Sequence, residues 1–346
     1  MSDEAALVSV VVVCLNGLDI TRQCLSSLFR QDYHPKELIV VDNGSQEGIR
    51  EMVIEEFPQA QLICLDENLG FAGGHNKGIE AAKGKYVAII NNDAVASPQW
   101  LSSMVDAAEK DDQIGAVASI ITDHNRPEVL DSCGVGIALD GMSRQAMRGK
   151  PPPFLSESKE VLIPSGCACL FRMDALKIVG LFDDSFFAYC EDTDMGLRLR
   201  WAGFKAVVTP GAEVTHYYSM TAGKFSLKKV FWVERNHFWV AIKNFPVVIL
   251  LLVPFATFWR YLVQTYAILS RSGDLYGFTD ETSLPRVITT IIKAYGSALA
   301  GAPLMFRRRI AFLPKRKLND FQMLKLIWAF RMSMVDIIIG TRNAGK

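Results

Sequence analysis

The sequence predicts an α/β domain built on a mostly parallel sheet with helices packed on its faces. Three observations carry that reading. Apolar, β-branched runs recur through the first quarter of the chain. Helical apolar spacing fills the intervals between them, and short polar clusters stand where the runs stop. Alternation of this kind builds parallel sheets through helical crossovers. With 346 residues, half of them hydrophobic, the chain can bury one large core or two modest ones.

Residues 8–15 form a continuous β-branched run, as a parallel strand covered on both faces requires. Residues 19–31 space Ile20, Cys24, Leu25 and Leu28 on one helical face, with Asp19 as the expected cap. A second strand, 37–41, ends in Asp42-Asn43-Gly44-Ser45. A helix over 46–57, a strand over 61–65 and a helix over 73–83 follow. The strand 86–90 then stops at Asn91-Asn92-Asp93. Open α/β sheets bind ligands beyond the carboxyl ends of their strands. Asn16, Asp42-Asn43 and Asn91-Asn92-Asp93 all fall there. From about 120 to 165 the pattern weakens, and Pro151-Pro152-Pro153 marks a loop, so 126–160 reads as an irregular insertion. Order returns with a strand at 167–172, a helix at 174–179 and the stretch AYCEDTDMGLRLRWAGF at 188–204.

Lys and Arg number 37, as do Asp and Glu, but the balance is uneven along the chain. Residues 1–219 hold 18 basic and 31 acidic side chains, a net of −13; residues 220–346 hold 19 and 6, a net of +13. The chain is not uniformly basic, so no nucleic-acid partner is expected, while the rear half suits an anionic surface. The seven cysteines include no CxxC pair and read as small reduced core residues. Acids at the N-terminus stand where a signal peptide would be basic, which predicts a cytoplasmic chain. Residues 247–259 carry no charge, and as a helix they span roughly 20 Å against the ~30 Å of a bilayer core. Pro254 and Arg260 weigh further against spanning. Arg307-Arg308-Arg309 and Lys315-Arg316-Lys317 flank apolar residues 310–313, a pattern that fits docking on an anionic leaflet. Residues 246–346 are therefore expected to be a basic, partly amphipathic helical region, peripheral on the inner face of the cell membrane. The plain alternative is a helical subdomain packed on the domain before it.

The polar clusters carry the chemistry. A carboxylate such as Asp42, at a strand end before a tight turn, can accept the ring N–H of a pyrimidine base. Residues 67–78, ENLGFAGGHNKG, offer glycines that admit a ligand and a helix start near Gly73 whose free N–H groups suit phosphate. His75 and Lys77 would add positive charge there. Asp93 after Asn91 and Asn92 suits a hard divalent cation completed by nucleotide and water. IINNDA resembles the D-x-D region of family 2 glycosyltransferases with the GT-A fold. NLGFAGGHNKG and GLFDDSFFAYCEDTDMGLRLRWAGF resemble the rhamnosyltransferase-like branch of that family. The resemblance covers roughly residues 7–245.

That resemblance implies a Rossmann-like mixed sheet and a catalytic domain over 1–245. It implies a nucleotide-diphosphate-sugar donor, dTDP-L-rhamnose first and a UDP-sugar second, with Mg²⁺ or Mn²⁺ as cofactor. The acceptor would be lipid-linked or a glycan, in bacterial surface polysaccharide assembly. Asp42 would hold the base, and Asn16, Asn68, Gly73, His75, Asn76, Asn91 and Asn92 would line the donor side. Asp93 would bind the metal and His216 would complete its site. Asn91 replaces the first acid of D-x-D, leaving Asp93 as the only carboxylate ligand of that motif. Inverting transfer needs one base for the acceptor hydroxyl, and the resemblance assigns it to Asp192. Aromatic surroundings would raise its pKa towards useful basicity. Glu191 would orient the acceptor or the loop, and Asp194 reads as a first-turn helix acid. The Q-x-x-R-W motif of processive synthases is not met at Arg200-Trp201, since position 197 is Leu. A processive or polyprenyl-phosphate sugar synthase, and a non-catalytic nucleotide-sugar-binding scaffold at the membrane, are the competing readings.

Overall fold

The computed structural model describes residues 5–153, 155–217, 226–270 and 283–339. Its first half alternates β1 (Val8–Cys14), α1 (Leu18–Phe29), β2 (Lys36–Asn43), α2 (Ile49–Glu56), β3 (Gln61–Leu65), α3 (Gly70–Ala81) and β4 (Tyr86–Asn91). Then come β5 (Ala94–Ala96), α4 (Trp100–Glu109), β6 (Ile114–Asp123) and β7 (Arg126–Ser132). The hairpin β8 (Val135–Ile137) and β9 (Ser143–Gln145) leads to β10 (Lys159–Val161), β11 (Ala168–Arg172) and α5 (Met173–Val179). Finally α6 (Glu191–Trp201) and β12 (Lys205–His216) precede α7 (Leu227–Asn244) and α8 (Val247–Leu269). α9 (Leu284–Phe312), α10 (Asp320–Phe330) and α11 (Met334–Ile339) close the described chain.

The main sheet runs β3-β2-β1-β4-β11-β6-β12-β10, with β5 added to β12 and β7 to β6. β1 lies parallel to β2 and β4, and β6 lies parallel to β12. β11 is antiparallel to both of its neighbours, which makes the sheet mixed. β1 reads VSVVVVC with nearly every residue buried, because helices cover both faces. The glycines of α3 serve this packing. A Cβ on Gly74 would stand 2.7 Å from Val13 Cγ1, and one on Gly78 would collide with Val11 Cγ1. The helix therefore lies on β1 at a distance that only glycine permits.

Several expectations are corrected. α1 starts at Leu18 without an Asp19 cap; Glu47 Oε2 accepts the Gly17 and Leu18 N–H groups at 2.8 and 3.0 Å instead. α3 starts at Gly70, so Gly73 lies inside the helix and not at its N-terminus. The stretch 126–160 is not irregular throughout, since it holds β7, the β8–β9 hairpin and β10. α8 continues for 23 residues through Pro254 and Arg260. At 1.5 Å per residue that is roughly 35 Å. Arg260 does not end the helix because it is fully buried, with Nε 2.7 Å from Asp140 and two N–H groups 2.8 Å from Glu234.

The C-terminal helices share a core with the sheet domain. Ile163, Phe186, Leu197 and Trp201 pack in one cluster with Trp239, Phe245, Ile249, Ala298, Met305 and Ile327. Half of the basic clusters are spent on this packing. Arg308 pairs with Asp183, Arg309 donates to the Ile242 and Phe245 carbonyls, and the Arg316 guanidinium lies 3.8 Å over the Trp201 ring. Arg307, Lys315 and Lys317 remain exposed. The outer face of α8 is apolar along its length: Val248, Leu251, Leu252, Phe255, Phe258, Trp259, Leu262, Tyr266 and Leu269 are exposed. α8 and α9 are long and apolar enough to cross a membrane by length and composition.

Candidate active site at the carboxyl edge of the sheet

β5 folds back on the end of β12 and sets His216 opposite Ala94, so Asp93 and His216 meet. His216 Nε2 stands 3.2 Å from Asp93 Oδ1. The other ring nitrogen, Nδ1, is 2.8 Å from Asp131 Oδ2, and the Tyr217 N–H donates to the Asp93 carbonyl. Asp131 arrives on β7, which the sheet places beside β6 and thus near the end of β12. Burial works against charge on His216, but Cys167, Asp131 and Asp93 together hold its pKa well above the usual imidazole value. Burial likewise pushes the Asp131 carboxyl up, and the His216 hydrogen bond more than reverses this. Among the described residues no cluster of three or more His, Cys, Asp or Glu could enclose a metal alone.

The acids of α6 have separate surroundings. Asp192 Oδ2 accepts the Gly166 N–H at 3.1 Å, and Oδ1 accepts the Thr193 N–H at 2.6 Å. Burial raises its pKa, and these hydrogen bonds oppose the rise. Glu191 is buried with Oε2 unpartnered, and burial followed by the Asp192 charge pushes its carboxyl well above the ordinary range. Asp194 is fully buried against Arg198 at 2.9 Å and Lys243 at 2.8 Å. Burial disfavours its charge, but those two cations bring the carboxyl down to about 2. It ties α6 to α7.

The turn before α6 is strained. Phe187, Tyr189 and Cys190 have φ of 63°, 70° and 68°, a region that costs a non-glycine residue roughly 1–3 kcal/mol. Asn236 on α7 holds it there. Its Nδ2 donates to the carbonyls of Phe186, Ala188 and Tyr189 at 3.0, 3.0 and 2.7 Å. Arg235 donates to the Ser185 and Phe186 carbonyls beside it.

On the proposed donor side, Asp42 is buried at the end of β2; Oδ1 accepts the Ser45 N–H at 2.9 Å and Oδ2 faces Arg50 Nε at 2.5 Å. Asn16, itself at φ 60°, accepts the Gln46 N–H with its side chain. Asn92 Nδ2 donates to the Asn16 carbonyl and to Thr21, bracing the end of β4 against β1. Asn91 lies at the same edge, its N–H bonded to the Cys167 carbonyl. Asn68 accepts from Asn43 and from the Gly70 N–H. His75 is corrected outright. It is buried against Phe71, bonds the Phe71 carbonyl through Nδ1, and burial lowers its pKa to about 4, so it stays neutral. Asn76 bonds Phe182 and Asp184 and so fixes the segment before the strained turn. Gly73 packs over Leu69 within α3. His75, Asn76 and Gly73 thus shape the loop from within.

The family model described as glycosyl transferase family 2 matches residues 9–180. The chain belongs to that family. This family 2 glycosyltransferase is 28% identical over 226 residues to the N-acetylglucosaminyl-diphospho-decaprenol L-rhamnosyltransferase of Mycobacterium tuberculosis, covering 58% of this chain and 72% of that one. It is 24% identical over 270 residues to the poly-beta-1,6-N-acetyl-D-glucosamine synthase of Staphylococcus epidermidis, covering 75% of this chain and 64% of that one. Its fold matches S. aureus TarS 1-349 with a TM-score of 0.52 at 16% identity, over 89% and 88% of the two chains. It matches GalNAc-T7, solved with UDP, GalNAc and Mn²⁺, with a TM-score of 0.56 at 14% identity, over 70% and 48%. At such identities the likeness speaks for the GT-A fold alone.

Sequence reasoning missed three residues of this glycosyltransferase's site: Asp131, Arg235 and Asn236. Asp131 lies 85 residues from His216, and only the placement of β7 joins them. The run Glu234-Arg235-Asn236-His237 was visible as polar residues between the apolar stretches 230–233 and 238–242, which is the signal that could have found the clamp. Arg200-Trp201 is core: Trp201 is fully buried with Nε1 bonded to the Asn244 carbonyl, and Arg200 pairs with Glu160.

Proposed function

We propose that the protein transfers a sugar from a nucleotide diphosphate to an acceptor hydroxyl with inversion, using Asp192 as base. One observation carries the reading. Gly166 donates its N–H to Asp192, while its neighbour Cys167 offers its carbonyl to Asn91, two residues before Asp93. Adjacent residues are 3.8 Å apart along the chain, so the Gly166-Cys167 pair ties the base and the Asp93–His216 corner to one edge of the sheet, as transfer between a bound donor and an acceptor requires.

Asp192 takes the acceptor proton as the hydroxyl oxygen bonds to the anomeric carbon. The bond from that carbon to the diphosphate oxygen breaks, and its electron pair leaves with the diphosphate. Gly166 and Thr193 hold the carboxylate ionised and aimed. Glu191, buried with an unpartnered oxygen beside the Asp192 charge, keeps its own proton and so adds no second negative charge there. Asp42 and Asn16 offer polar groups to base and ribose at the ends of β2 and β1.

A carboxylate oxygen and an imidazole nitrogen, once the cation displaces the proton that the acidic neighbours favour on His216, fit a divalent ion whose remaining ligands come from diphosphate and water, so Asp93 and His216 would hold Mg²⁺ or Mn²⁺. Bound there, the ion would neutralise the leaving diphosphate. Asp131 would orient the imidazole from behind, as outer-shell carboxylates do for metal-bound histidines.

The donor assigned first is dTDP-L-rhamnose and second a UDP-sugar, with a lipid-linked acceptor, in line with the printed activity of the mycobacterial relative. The apolar outer face of α8, with exposed Arg307, Lys315 and Lys317, supports peripheral attachment to an anionic cytoplasmic membrane face. A thermal-shift panel of nucleotide sugars, with and without Mn²⁺, tests the donor. The largest metal-dependent shift names it, and a flat panel across all bases refutes the assignment.

A further inference from the structure

A cleft of about 410 Å³ opens beside the strained turn, lined by Asn68, Phe187, Leu227, Lys228, Phe231 and Trp232. That volume is within the range of small-ligand sites. Both of its walls continue along the chain into segments that lead to Asp192. Asn68, assigned to the donor side by the family resemblance, borders this cleft instead, and it starts the loop whose Phe71 ring abuts Gly166, where a Cβ would meet Phe71 Cζ at 3.0 Å and Asp192 Cβ at 3.3 Å. Phe187 starts the turn that runs directly into Glu191-Asp192.

The lining has a definite chemistry. Trp232 stacks on Phe187 with centroids 5.0 Å apart and stands 6.3 Å from Tyr189, which makes an aromatic shelf. Lys228 is exposed at the rim and forms no ion pair among the described residues. The Lys229 ammonium lies 5.3 Å over the Tyr189 ring. Among the described residues no carboxylate lines the cleft. Aromatic faces pack against the C–H face of a sugar ring, and an ammonium at the rim suits phosphate oxygens. A neutral glycan would leave the lysine without a role, and a bare hydrocarbon chain would need neither lysine nor amide.

We propose that this cleft is the acceptor subsite and that its ligand is a sugar diphosphate, with the pyranose on the Trp232 shelf and a phosphate at Lys228. The inference rests on the transfer reading above and names the substrate class on its acceptor side. The α7 helix would then do two things: clamp the turn that carries the base, through Asn236, and receive the sugar that the base deprotonates.

The test is calorimetric titration of the full chain with N-acetylglucosaminyl diphosphate carrying a short alkyl tail, with no nucleotide sugar present. Saturable binding is expected, weakened about tenfold by Trp232→Ala, less by Trp232→Phe, and about threefold to fivefold by Lys228→Gln. The matching alkyl glycoside without phosphate should not distinguish wild type from Lys228→Gln. Lys228 is exposed, so that variant keeps the fold even if Trp232→Ala does not. No binding by wild type, or equal affinity in wild type and Lys228→Gln, overturns the proposal. Sedimentation with anionic phospholipid vesicles separates the other source of phosphate: if Lys228→Gln loses vesicle binding but keeps acceptor affinity, the cleft belongs to lipid headgroups. Because the acceptor is titrated without donor, failure of the nucleotide-sugar panel leaves this result readable.

Discussion

The site has two corners, and they are built in opposite ways. At Asp93–His216–Asp131 both ring nitrogens face carboxylate oxygens, so the imidazole is fixed in orientation. At Glu191–Asp192 one carboxylate is held by backbone N–H groups while its neighbour keeps a buried oxygen without a partner. The first arrangement is rigid and suits a ligand that must be held. The second keeps a proton on Glu191 and leaves its neighbour Asp192 free to accept one. A buried unpaired carboxyl is expensive, so its survival beside Asp192 marks where structure yields to chemistry.

The largest effect should come from breaking the second corner. Asp192→Asn should lower transfer by about 10²–10⁴-fold, the usual worth of a positioned base, while nucleotide-sugar affinity stays within about twofold. Equal turnover in the variant and wild type would remove Asp192 from its role. The acid limb of kcat/KM should lie above the value of an ordinary aspartate, because burial raises the Asp192 pKa and the base works only ionised.

Breaking the first corner should matter less. Asp131→Asn should weaken metal affinity by about 10–100-fold, as loss of an outer-shell carboxylate does, and added Mn²⁺ should restore turnover. Activity that no Mn²⁺ concentration recovers would place Asp131 elsewhere in the mechanism. Asn236→Ala removes three hydrogen bonds from the strained turn. Expected is a loss of about tenfold in kcat with donor KM unchanged, since a misplacement of the base affects the chemical step.

The smallest effect sharpens the contrast. Glu191 titrates higher folded than unfolded, so the folded state keeps a proton that the unfolded chain has released in the window above the ordinary carboxylate range. Stability therefore falls as pH rises through that window. Glu191→Gln removes this dependence. Its melting temperature should match wild type at the acid end and exceed it by about 2–4 °C at neutral pH. A uniform shift at every pH would show that Glu191 is not the proton holder.

The sheet was readable because β1, β2, β3 and β4 are local patterns, and their ends announced Asn16, Asp42 and Asn91–Asp93. The pairing of Asp93 with His216 was reached only through a family resemblance, since the 122 intervening residues carry no local trace of it. What stayed hidden depended on distant packing. The α3 glycines look like a phosphate loop, yet Val11 and Val13 show that Gly74 and Gly78 bring the helix down onto β1. His75 looks cationic until its burial beside Phe71 and Phe182 is seen. Arg260 looks like the end of an apolar segment, but Asp140 and Glu234 sit far away in sequence and neutralise it.

Arg260 also sets an order of events. Alone, α8 would carry a bare guanidinium into hydrocarbon, at roughly 2.5–3.5 kcal/mol on insertion scales. Only after α7 and the 138–142 turn have formed can Glu234 and Asp140 take that charge inward and leave the outer face neutral. An unfolded or half-made chain thus lacks the surface proposed to meet the membrane. The proposed attachment would then require the catalytic half to be assembled first.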